Sequence, residues 1–161
     1  MTTRREFLKT GLAGGLLLNV AGCTRPSADG GQTRILSALV PVMLAGALPA
    51  QSELARKQTA ETVAGVDRAI AGLGLAAQKE IGELFDLLAF PPTRVLAAGL
   101  WSSWEDATPQ ALHGFLESWR NSRFDLLKSG YAALHDLILG AWYARPDTWE
   151  AIGYPGPPKV K

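Results

Sequence analysis

One thiol, two imidazoles and a group of carboxylates are the side chains of this 161-residue chain that could do chemistry. His113 and Glu117 stand four apart, which on a helix puts an imidazole and a carboxylate on one face at a spacing metals use. No second histidine lies nearby in sequence and no Glu-x-x-His pair occurs, so a di-iron bundle lacks its ligand set. Glu80 and Glu83, with Asp86 one turn further on, fall on the polar side of a helical pattern, where carboxylates are ordinarily solvated. His135 is more readily a surface residue than a general base. Gly72-Leu73-Gly74-Leu75-Ala76-Ala77 matches a dinucleotide-binding pattern, but that turn needs a strand before it, and an amphipathic helix stands there instead. Cys23 is the only cysteine, which rules out an intrachain disulfide, and the Cys-x-x-Cys-His run of a c-type haem is absent. The expectation is a chain without catalytic, cofactor-binding or metal-binding residues of its own.

The strongest motif is an address. Arg4-Arg5-Glu6-Phe7-Leu8-Lys9, followed by an apolar segment from Gly11 to Ala21, resembles a twin-arginine export signal. The segment falls short of the roughly 20 apolar residues a spanning helix needs. Its glycines and Asn19 keep it only mildly hydrophobic, as suits that export path. Arg4, Arg5, Phe7, Leu8 and Lys9 are therefore the expected export-signal residues, addressed to the twin-arginine translocase, and the periplasm is the expected compartment. Proteins on this route cross already folded, so the passenger is a cofactor enzyme or a partner exported with one. Val20-Ala21-Gly22-Cys23 resembles a lipobox. Either Cys23 is acylated and tethers the mature chain to the membrane, the favoured reading, or ordinary cleavage nearby removes it or leaves an idle thiol.

Residues 1–22 thus form the signal, residues 23–31 read as a flexible linker, and residues 32–161 form a single domain. Losing Arg4, Arg5, Lys9 and Glu6 from 16 basic and 15 acidic residues leaves 13 and 14. So neutral a domain, with no basic patch interleaved with aromatics, has no footprint for nucleic acid.

Helical periodicity dominates and no run alternates as a strand would. The pattern predicts helices over Thr33–Leu48, bent at Pro41 and buried nearly all round; from a Ser52 cap to Ala71, with Leu54, Val63, Val66 and Ile70 inward; over Leu75–Ala89, stopped by Pro91-Pro92; over Thr93–Trp101; from a Thr108 cap and Pro109 to Trp119; and over Arg123–Tyr143, with Leu126, Leu127, Leu134, Leu137, Ile138 and Trp142 inward. The fold class is all-α: a small bundle of about five to six helices with an extended Pro/Gly-rich tail in a polyproline-like path.

All five tryptophans lie in the C-terminal half, at Trp101, Trp104, Trp119, Trp142 and Trp149, together with Tyr131, Tyr143 and Tyr154. Adjacent Trp142 and Tyr143 cannot both face one core. Any single tryptophan is more readily core filler, but the set exceeds what one small core can hold. Trp and Tyr bury large area with few rotors and keep a polar handle, which favours them at interfaces. The expected partner surface is Trp101, Trp104, Trp142, Tyr143, Trp149, Tyr154 and Pro155.

Leu44-Ala45-Gly46-Ala47-Leu48-Pro49, and Ala141-Trp142-Tyr143-Ala144-Arg145-Pro146 through Thr148-Trp149 to Ile152-Gly153-Tyr154-Pro155-Gly156-Pro157-Pro158, resemble the gluconate 2-dehydrogenase subunit 3-like family. These are the small subunits of periplasmic FAD-dependent dehydrogenases. The resemblance covers most of the chain, and the Gly-Tyr-Pro-Gly-Pro-Pro ending is its most specific part. It implies a non-catalytic subunit that escorts a folded large subunit through twin-arginine export and stabilises it in the periplasm. That large subunit would be a glucose-methanol-choline (GMC) type oxidoreductase, holding the FAD and passing electrons in many complexes to a multihaem cytochrome c. Arg145 departs from the smaller or acidic residue expected there, which bears on partner choice. The rival reading is a stand-alone periplasmic lipoprotein with an aromatic surface for a small ligand or another interaction.

Overall fold

The computed structural model describes residues 28–149 and 152–157. Six α-helices and one short 3-10 turn, with no strand among the described residues, make an all-α bundle. The helices are α1 (Ala28–Met43), α2 (Ser52–Ala71), α3 (Leu75–Ala89), α4 (Pro91–Ala98), α5 (Pro109–Arg120) and α6 (Asp125–Tyr143), and the 3-10 turn is Pro146–Thr148.

Helix α1 is the central element, as its near-continuous apolar sequence demands. Ile35, Leu36, Leu39 and Val40 are fully buried, and the helix packs against α2, α3, α5 and α6. It begins earlier than the pattern predicts, taking Ala28–Gly31 from the expected linker. Glycine is a poor helix former, but Gly31 lies against α3: a Cβ there would sit 3.1 Å from that of Ala89. The helix also ends earlier than expected. Pro41 lies in its last turn, and the chain leaves through a turn closed by Ala47 N–H donating to Leu44 O (2.9 Å), with Gly46 at φ 88°.

Helices α2 and α3 have the predicted bounds, although Gln51, not Ser52, is the N-cap of α2 and its side chain makes no capping bond. Between them, Gly72 to Gly74 form a helix-to-helix turn. Gln78 Nε2 reaches back to donate to Leu73 O (2.8 Å) and Ala71 O (3.2 Å). At the next junction the two prolines end α3 and also open α4, occupying its first two positions, where a missing N–H costs nothing. Gly99, at φ 69°, closes α4 with its N–H on Val95 O, so Trp101 lies beyond the helix. The predicted Thr108 cap of α5 is present: its Oγ1 accepts from Ala111 N–H at 3.2 Å.

Small residues set the spacing of α6 against its neighbours. A Cβ on Gly65 of α2 would lie 3.1 Å from that of Ala141, and one on Gly130 would lie 2.5 Å from Cζ3 of the buried Trp119. Leu126 and Leu54, expected inward, are exposed. Both occupy the first turn of their helices, and periodicity identifies a helix's buried face without telling how far along it the neighbour extends.

Candidate partner-binding surface

The export-signal residues Arg4, Arg5, Phe7, Leu8 and Lys9, and Cys23, lie outside the described residues. The structure divides the seven expected interface residues into two kinds. Trp104 and Trp142 are 4% and 3% exposed and belong to the core, which corrects the expectation for both. Trp104 Nε1 donates to Leu88 O at 2.9 Å, and its ring meets the edge of Phe115. Phe115 in turn meets Trp119, whose Nε1 donates to Ala97 O at 2.6 Å. The indoles of Trp104 and Trp119 thus satisfy their only donor on a carbonyl near the end of α3 and α4 respectively, binding the 99–108 loop and α4 into the bundle.

Trp101, Tyr143 and Tyr154 are 85%, 41% and 45% exposed, Pro155 is exposed, and Trp149 is half-buried. Four of these five come together at the C-terminal end of α6. Trp149 Nε1 donates to Tyr143 O (2.7 Å), filling one of the carbonyls a helix terminus leaves unpaired. Tyr154 N–H donates to Trp149 O (3.0 Å), and the Tyr154 ring stands edge-on to the indole at 5.3 Å. Gly153 and Gly156 have φ of 69° and 96°, and a Cβ on Gly156 would lie 3.2 Å from Trp149 Cζ3. Over the described residues 152–157 the chain therefore turns around Trp149, where a polyproline-like path was expected. Two left-handed glycines, invisible as a periodicity, make that turn.

Arg145 fixes the base of this clasp. Its Nη2 lies 2.6 Å from Glu61 Oε2 and 2.5 Å from Asp147 Oδ2, Nη1 donates to Gln58 O (3.3 Å), and the guanidinium lies 5.5 Å from the centroid of Trp142. The planar fork meets both carboxylate oxygens of Asp147, through Nε (3.2 Å) and Nη2, while its remaining donors reach α2, a geometry that the point charge of a lysine does not match. Thr148, buried, donates Oγ1 to Arg145 O (2.8 Å). Arg145 is thus turned inward onto its own chain, with a side chain only 15% exposed. The clasp displays Tyr143, Ile152, Tyr154 and Pro155 above these hydrogen-bonded residues. Ile152, an aliphatic residue outside any periodic pattern, carries no sequence signal that would mark it for this surface.

His113 is exposed, and Glu117 is occupied by Asn121 Nδ2 (3.1 Å) and Arg120 (3.8 Å). Glu83 pairs with Lys79 (3.7 Å), and His135 Nδ1 lies 3.1 Å from Asp136 Oδ1. Among the described residues no three His, Cys, Asp or Glu side chains gather as a metal site would need. Comparison of the chain with protein-family models, curated proteins and solved structures gives no match.

Proposed function

We propose that this chain is the non-catalytic small subunit of a periplasmic dehydrogenase. It escorts a folded FAD-containing GMC-type large subunit through the twin-arginine pathway and stabilises it afterwards. The observation that carries this reading is the clasp: exposed aromatic and aliphatic side chains on a backbone locked by Trp149 and Arg145. A preorganised surface loses little entropy on binding, and Tyr is among the residue types in which interface energy concentrates. The twin-arginine motif in the same chain supports the escort role, because that route takes folded passengers. FAD belongs to the partner. Residues 23–27 join a lipidated Cys23 to the domain.

Tyr143→Ser combined with Tyr154→Ser tests the clasp. Both rings are exposed, and Tyr143 accepts Trp149 through its backbone, so the helical circular dichroism should be kept. Loss of two interface tyrosines at about 2 kcal/mol each should weaken retention of the large subunit by about 1,000-fold. An undiminished complex in the double variant would place the partner surface elsewhere.

A further inference from the structure

A second set of exposed apolar side chains lies away from the clasp, on residues 87–104. Phe90, Leu96 and Trp101 are all exposed, Leu96 and Trp101 to 86% and 85%. The segment is compact: Thr93 Oγ1 donates to Phe90 O (3.0 Å) and Arg94 Nε to Leu100 O (3.3 Å), while Trp104 anchors it to Leu88. Between Asp86 and Glu105 the chain carries no acidic residue and one base, Arg94.

Both flanks of this segment touch the first turns of α1. Ala89 lies against Gly31, and Glu105 Oε1 lies 3.6 Å from Arg34 Nε. Helix α1 starts at Ala28, five residues after Cys23, so the connection spans at most about 17 Å when fully extended. A lipid on Cys23 would hold the start of α1, and with it this segment, at the membrane surface. The clasp is set at a different level. Asp67 of α2 accepts from Gln32 of α1 (2.7 Å), whereas Arg145 meets α2 at Gln58 and Glu61. Those sites are six to nine residues apart, about 9–14 Å along the helix axis.

We propose that Phe90, Leu96 and Trp101 seat the domain on the bilayer to which Cys23 is anchored. This rests on the lipid-anchor part of the proposed function and adds to it an orientation: the 90–101 segment faces lipid and the clasp stays free for the protein partner. The residue chemistry suits a headgroup boundary. Tryptophan prefers that depth because its ring is apolar and its N–H polar, Leu and Phe reach the acyl boundary, and a segment with one base and no acid meets no repulsion from anionic lipid.

The test uses the mature chain purified from the envelope, carrying Trp101→Cys or, for comparison, Lys57→Cys. With the Cys23 sulfur acylated, each introduced cysteine is the free thiol that takes a nitroxide. In vesicles of phosphatidylethanolamine and phosphatidylglycerol, collisions with oxygen and with a water-soluble nickel complex report the label's surroundings. At position 101 the oxygen-to-nickel collision ratio should exceed that at 57 several-fold. A label at 101 as open to nickel as that at 57, or shielded from both reagents by a co-purified protein, overturns the proposal. The mass of the chain is read first. An unacylated Cys23 would remove the anchor and this proposal with it while leaving the escort role standing, whereas an acylated chain with label 101 in water would refute the seating alone.

Discussion

Arg4→Lys together with Arg5→Lys should leave both this chain and the flavoprotein partner proposed for it in the cytoplasm. Lysine keeps the positive charge but loses the planar, five-donor fork, so a receptor that reads guanidinium geometry does not accept the exchange. The effect expected is near-complete loss of the large subunit from the periplasmic fraction, since the escort account gives it no address of its own. Immunodetection of both subunits after cell fractionation reads the result. A large subunit that still reached the periplasm in the double variant would contradict the escort role, while leaving open a stabilising contact after export.

Trp104→Ala should unfold much of what it touches rather than merely weaken a partner contact. The residue is 4% exposed, donates to Leu88 O and stacks edge-on with Phe115 at 5.8 Å. Truncating a buried aromatic costs about 3–5 kcal/mol through lost transfer energy and the cavity left behind, and here the Leu88 carbonyl also loses its indole donor. For a domain of this size the melting temperature should fall by roughly 10–20 °C. Thermal melts of the isolated chain separate the two roles for Trp104. A stable variant that bound its partner poorly would return this tryptophan to the interface, whereas the clasp substitutions should do the reverse, sparing stability and losing the partner.

The same division explains which parts of the molecule were legible from its residues. Helix α3 and the start of α5 were readable because their signals are local: a heptad-like stripe ending before Pro91, and a threonine cap ahead of Pro109. The start of α1 was not, because Gly30 and Gly31 weaken a helix in isolation, and only the close approach of Ala89 explains a glycine there. Among the aromatics, adjacency alone says that Trp142 and Tyr143 cannot both face one core, but it does not say which turns in; both were placed at the partner surface, and the first is buried and the second exposed. Trp104 resisted because it sits in the 99–108 loop, where no periodicity tells inside from outside and its bond to Leu88 spans sixteen residues. The inward turn of Arg145 was not legible, because its bonds to Glu61 and Gln58 depend on α2 lying alongside, a tertiary fact with no local trace.

The most direct test of the central claim is purification of a C-terminally tagged copy from the native envelope, followed by an absorbance spectrum and mass identification of whatever co-elutes. The account predicts a stoichiometric flavoprotein with the paired visible bands of oxidised FAD. A colourless, monodisperse chain eluting alone would contradict it, and would point instead to a lone lipoprotein whose aromatic surface takes a small ligand.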